Sequence, residues 1–158
     1  DGEAASPGVL QTIRSFPDAD GFIIACFDDT ALPEARAEAS VPVIGIGQAS
    51  YYRASLGWGR FAVLTTLDVA VPVIEGNIDR LGFRHDLHAV VASGIPVLEL
   101  ESDAEGSVRK LAPMITEISS QAPGARVILG CAGMTEIADA FGDAPVIDPV
   151  ESAARFFA

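Results

Sequence analysis

Cys26 and Cys131 are the only two cysteines among 158 residues. Each follows a short apolar run: Gly21-Phe22-Ile23-Ile24-Ala25 leads into Cys26, and Arg126-Val127-Ile128-Leu129-Gly130 into Cys131. A small polar turn and a helix-forming stretch come after each. Beyond the first, Val41-Pro42-Val43-Ile44 is echoed beyond the second by Ala144-Pro145-Val146-Ile147. A repeated half with one thiol per copy suits a site with one thiol on each side. One thiolate can remove a proton from a carbon while the opposite thiol delivers one, which inverts the stereocentre without a cofactor. A strand end that opens into a helix start offers free N–H groups and a positive dipole end, which favour thiolate over thiol. Cysteine is also a common small hydrophobe of cores, but two at matching positions favour the chemical reading.

Alternating short apolar runs and helix-forming stretches must position these thiols. Apolar, β-branched runs at 21–25, 43–46, 60–65, 87–92, 126–129 and 145–147 read as strands, and their continuous apolar character fits a parallel sheet covered on both faces. Helical patterns at 8–16, 31–39, 48–57, 70–81, 104–120 and 134–141 lie between them, with a last helix from about 151. Pro113 is expected to interrupt the helix over 104–120, and Gly94-Ile95-Pro96 to form a loop. Strands alternating with helices predict an α/β fold of two pseudo-symmetric lobes, each a parallel sheet flanked by helices, with the active site in the cleft between them. The expected division is 1–66 for the first lobe, 67–147 for the second, and 148–158 for a C-terminal helix returning to the first. The chain opens on small residues rather than a strand, so the first lobe is expected to lack its N-terminal strand.

Hydrophobic residues make up 49% of the chain, enough for a dry core. A formal net charge of −12 argues against a nucleic-acid partner, which needs a basic footprint. No apolar run is long enough to span a bilayer and no secretory signal pattern is visible, so a cytoplasmic protein is expected. Two distant cysteines without a Cys-x-x-Cys pair do not suggest a metal site, and His85 and His88 fall in a polar turn.

The stretches Ala25-Cys26-Phe27-Asp28-Asp29 and Leu129-Gly130-Cys131-Ala132-Gly133-Met134 resemble the two cysteine motifs of hydantoin and allantoin racemases, within the aspartate/glutamate racemase superfamily. Pro42-Val43-Ile44-Gly45-Ile46-Gly47, Thr65-Thr66, Val71-Pro72 and Gly94-Ile95-Pro96-Val97-Leu98-Glu99-Leu100 resemble that family in order and spacing. The resemblance implies cofactor-independent racemisation, with Cys26 and Cys131 as acid and base. It implies that Phe27, Asp28, Ala132 and Gly133 line the substrate pocket through backbone N–H groups, and that Thr65 and Thr66 bind polar substrate atoms. It implies a small cyclic substrate and assembly as a homo-oligomer.

The local chemistry agrees with that resemblance. The C5 proton of a hydantoin is acidic because its removal gives an enolate, and N–H groups at helix starts can hold the developing charge. Phe27-Asp28 and Ala132-Gly133 stand where amino-acid racemases carry Asn-Thr and Thr-His, so a neutral ring is expected rather than a free amino acid. Asp29 is expected to cap the helix beginning near residue 30. Thr30 stands where hydantoin-type members often have Pro and reads as a tolerated turn change. Maleate isomerase-like chemistry, another enzyme activity of the same superfamily, and a non-catalytic ligand-binding remnant remain as alternatives.

Overall fold

The structure is a computed structural model that describes residues 2–158; residue 1 of the expected first lobe lies outside them. In chain order the elements are α1 (Gly2–Ser15), β1 (Phe22–Ile24), α2 (Leu32–Glu38), β2 (Val43–Gly45), α3 (Ile46–Trp58), β3 (Phe61–Thr65), α4 (Val71–Arg80), β4 (Leu87–Ala92), α5 (Val97–Ser102), α6 (Ala104–Gln121), β5 (Arg126–Leu129), β6 (Val146–Ile147) and α7 (Pro149–Ala154). A 3-10 turn at Asp68–Ala70 precedes α4, and a 3-10 stretch, Ala132–Phe141, joins β5 to β6.

All strand pairings are parallel. β1 pairs with β2 in a two-stranded sheet, and the other four strands lie in the order β4-β3-β5-β6. β3 is the point where the expected lobes depart from the structure. The division at residue 66 puts it with the first lobe, yet Phe61–Leu64 pair with Arg126–Leu129 of β5, in the sheet of the second. The reason is in its side chains. All five residues of β3 are buried, which suits an inner strand with neighbours on both edges better than a strand beside the short β1–β2 pair.

Alternation along the inner strands divides the core in two. Phe61 and Val63 of β3 and Ile128 of β5 face a cluster with Tyr51 of α3 and Ile74 and Ile78 of α4. Ala62 and Leu64, with Val127 and Leu129, face Leu111, Ile115 and Ile118 of α6. A third cluster joins the small sheet to its helices through Ile13, Ile24, Leu32, Ala35 and Val43. α7 packs on α3, and Arg53 of α3 donates to Glu151 at 2.7 Å and Ser152 at 3.2 Å.

Several local expectations change. α6 runs through Pro113 without interruption; the proline is exposed, so the carbonyl that loses its helical partner faces solvent. Gly94-Ile95-Pro96 is a loop as expected, and Val97–Ser102, for which no element is expected, forms a helix entered from Pro96 in an extended conformation. The expected helix at 134–141 is a 3-10 stretch that starts at Ala132, directly after Cys131.

Candidate active site

The two cysteine segments are built alike. The Phe22 N–H donates to the Pro42 carbonyl at 2.9 Å, and the Val127 N–H to the Pro145 carbonyl at 2.8 Å. Phe22 and Val127 each stand four residues before their cysteine, so the proline echo in sequence is an echo in sheet pairing. The turns also open alike. The Asp29 N–H donates to the Cys26 carbonyl at 2.9 Å, and the Met134 N–H to the Cys131 carbonyl at 3.0 Å. Each thiol therefore sits at the carboxyl end of a parallel strand, where open α/β sheets place ligands.

Beyond that shared opening the turns diverge. After Cys26 the chain takes left-handed backbone angles at two non-glycine residues, Asp29 (φ 52°) and Ala31 (φ 57°). Such angles cost energy and persist only where the surroundings hold them. Asp29 provides the hold. Its carboxylate accepts from the Gly47 N–H at 3.0 Å and the Gln48 N–H at 2.7 Å. It thus satisfies the free donors of α3, not those of α2 as its position in sequence suggests. α2 instead begins at Ala31 without a side-chain cap. The swap is physical: from its left-handed backbone Asp29 turns toward β2 and α3, and its backbone carbonyl accepts from the Leu32 N–H at 3.1 Å. Gly45 and Gly47 make room, because a Cβ at either would overlap the Asp29 carboxylate. Burial pushes the Asp29 carboxyl up to about 6, against the two N–H donors and the charges of Arg36 and Arg80.

The other residues singled out in sequence divide between packing and site. The Phe27 side chain is buried and meets Tyr51 edge-on at 5.8 Å, so it packs and leaves only its backbone to the site. The Asp28 carbonyl accepts from Asn77 Nδ2 at 2.8 Å, and burial raises its carboxyl above the ordinary range. Thr65 is buried and its hydroxyl donates to the Gly130 carbonyl at 3.2 Å, tying the end of β3 to the residue before Cys131. The carbonyls of Thr65 and Thr66 accept from the N–H groups of Ser93 and Gly94, both at 2.8 Å. Ala132 is partly buried against the Tyr51 cluster. Gly133 sits where a Cβ would be 3.2 Å from Leu100 Cδ1 and 3.7 Å from Cys131 Sγ.

The thiols differ in environment. Cys26 is exposed and Cys131 is partly buried. Burial pushes the Cys131 thiol up, while the N–H groups of Gly133 and Met134 pull it down; the negative forms of Cys26 and Asp28 add to the rise. The expectation that a helix start lowers this thiol is therefore corrected, because desolvation outweighs the two donors.

Thr30, which reads in sequence as a tolerated turn change, also neighbours the Cys26 thiol. Its hydroxyl donates to Cys26 Sγ at 3.5 Å. Thr30 and Cys26 also share the wall of an apolar cavity of about 380 Å³, lined in part by Val9, Ile13 and Phe22. The signal was a hydroxyl four residues after a thiol, which is uninformative until the turn between them is known. Among the described residues, no group of three or more His, Cys, Asp and Glu could hold a metal ion, and no helix is long and apolar enough to cross a membrane.

Parallel strands flanked by helices, with matched thiols at two strand ends, define the class of fold, and comparison with known proteins narrows it. A family model described as Asp/Glu/hydantoin racemase matches residues 1–157, and the chain belongs to this family. It is 41% identical over 155 residues to hydantoin racemase of Rhizobium meliloti, covering 94% of this chain and 64% of that protein. It is 32% identical to hydantoin racemase of Pseudomonas sp. strain NS671, covering 95% and 62%. It therefore spans less than two thirds of the length of either relative. Among solved structures, allantoin racemase from Klebsiella pneumoniae superposes with a TM-score of 0.93 at 32% identity, over 99% of this chain and 66% of that one. Glutamate racemase RacE1 from Bacillus anthracis shares the fold at a TM-score of 0.72 and 16% identity, over 99% of this chain and 64% of that one.

Proposed function

We propose that this chain carries the two-thiol machinery of a cofactor-independent racemase that inverts the C5 stereocentre of a hydantoin or of allantoin. The substrate occupies a cleft between the end of β1 and the end of β5. Cys26 as thiolate takes the C5 proton, and the electron pair moves into the ring carbonyl as an enolate. The Cys131 thiol then delivers its proton to the opposite face, leaving Cys26 protonated and Cys131 as thiolate. The opposite enantiomer runs the same steps in reverse. The N–H groups at the starts of the two turns hold the enolate charge. The raised Cys131 thiol fits the acid role in the first direction.

The observation that carries this reading is the doubled strand end. Each thiol follows a strand paired to its proline-bearing neighbour by the same hydrogen bond. Hydantoin racemase relatives at 41% and 32% identity support the substrate class. Exposed apolar side chains such as Leu56, Val69 and Leu98 fit assembly as a homo-oligomer, which light scattering measures directly.

The test is decay of circular dichroism from single enantiomers of allantoin and of 5-substituted hydantoins in deuterated water. Racemisation with deuterium appearing at C5 is expected. Because enantiomers have equal free energy, kcat/KM must match in both directions, whereas kcat and KM are free to differ. Stable optical activity and no deuterium uptake across the whole set would overturn the proposal.

A further inference from the structure

The two thiols stand beside different kinds of donor. At Cys131 the neighbouring N–H groups of Gly133 and Met134 favour the thiolate, against burial. At Cys26 the donor is a side chain, the Thr30 hydroxyl, 3.5 Å from Sγ. Thr30 is held in that place by an unusual turn. The residues on either side of it, Asp29 and Ala31, both have left-handed backbone angles. Asp29 is locked by the N–H groups of Gly47 and Gln48, and the carbonyl of Asp28 by Asn77. Thr30 is itself only 9% exposed, so bulk water competes weakly for its hydroxyl. Cys26 is exposed, and without a fixed donor its sulfur would be free to rotate. A hydroxyl that donates to sulfur stabilises the charged form and limits that rotation.

We propose that Thr30 is the positioning residue of Cys26: its hydroxyl donates to the sulfur, aims it, and stabilises the thiolate used in proton transfer. This rests on the racemase reading, in which Cys26 alternates between thiol and thiolate. A bond to an anion strengthens when the anion forms, so the effect belongs to the thiolate more than to the thiol. The braced turn spends backbone strain on placing this one hydroxyl.

The test uses Thr30→Val, which keeps the shape and removes the hydroxyl, and Thr30→Ser, which restores it. Iodoacetamide alkylation of Cys26 is followed by peptide mass at pH 7 and pH 10.5, so that Cys131 does not confuse the readout. Loss of the hydrogen bond lowers the thiolate fraction at pH 7 by about tenfold. The remaining thiolate becomes more nucleophilic by about threefold, since reactivity rises with basicity. Thr30→Val is therefore expected to alkylate about threefold more slowly at pH 7 and about threefold faster at pH 10.5, with Thr30→Ser close to the unsubstituted chain at both. Racemisation of allantoin is expected to lose about tenfold in kcat, with KM little changed. Equal rates at both pH values would overturn the proposal. So would the same slowing at both, which marks a packing defect, or failure of serine to restore the rates. Should Thr30→Val lose its native melting transition, Thr30→Ala carries the same crossover test. Alkylation needs no substrate, so absence of any racemisation sinks the racemase reading while leaving the hydrogen bond separately tested.

Discussion

The turns after Cys26 and Cys131 start from the same hydrogen bonds and end in different environments. The first is exposed at the sulfur, bent through two left-handed residues, and braced from a distance by Asp29. The second runs straight into a 3-10 stretch, and its sulfur is partly buried against the larger sheet. The difference teaches that a repeated chain can keep two acid–base groups in equivalent places while giving them unequal surroundings. A racemase needs such inequality only weakly, because both directions must balance at equilibrium. The proposed chemistry needs one group charged and one neutral, and burial of Cys131 favours its neutral form.

The strongest challenge to this pairing is removal of either thiol. Cys26→Ser and Cys131→Ser should each lower racemisation by about a thousandfold, read by circular dichroism. Retention of the full rate in both would separate the thiols from the chemistry. The next effect tests the brace. Gly47→Ala places a Cβ against the Phe27 carbonyl and the Asp29 carboxylate, and should cost about 3 kcal/mol in urea unfolding. Gly133→Ala in the other turn meets only Leu100 Cδ1 at 3.2 Å and should cost about 1 kcal/mol. Equal costs would erase the contrast between the turns.

A smaller effect follows from Asp29. Its carboxyl is held at about 6 in the folded chain, above the unfolded value near 3.9. Between those values the native state binds more protons than the unfolded state, so stability declines as pH rises through that window and levels off above it. The decline is expected to be about 3 kcal/mol at most and to flatten in Asp29→Asn, as followed by urea titrations at pH 4, 5, 6 and 7. A slope unchanged by the substitution would assign it to other groups. The last effect concerns Cys131. Because burial raises its thiol, the alkaline limb of kcat/KM should lie above the ordinary thiol range, and a limb inside that range would contradict the buried environment.

Much of the local pattern was legible in the chain. Each β-branched run that ends at a cysteine is a strand, because such side chains suit a pleated surface, although only β5 is covered on both faces while Ile23 of β1 stays exposed. The paired prolines marked equivalent positions, because each lies where only its carbonyl has to join the ladder. The equivalence of the two cysteine segments was legible, since both strands end at a thiol and carry the same hydrogen bond to a proline carbonyl. The ring of Phe27 packs edge-on against Tyr51, a contact the sequence did not announce and one that leaves its backbone N–H, the group expected at the pocket, unchanged. Asp29 and Thr30 were misjudged for a shared reason. Their partners are set by two left-handed residues that nothing in their side chains announces, and the Asp29 partners lie on another helix.

The sequence by itself determined which segments are strands, where most of the helices fall, and that two thiols stand at equivalent strand ends, because these follow from the spacing of apolar residues along a few turns of chain. Only the tertiary structure decided that β3 belongs beside β5, that Asp29 caps α3, that Cys131 is the more buried thiol, and that Thr30 reaches Cys26. Those depend on which surfaces meet, and contacts between distant segments are settled by packing and desolvation rather than by local preference.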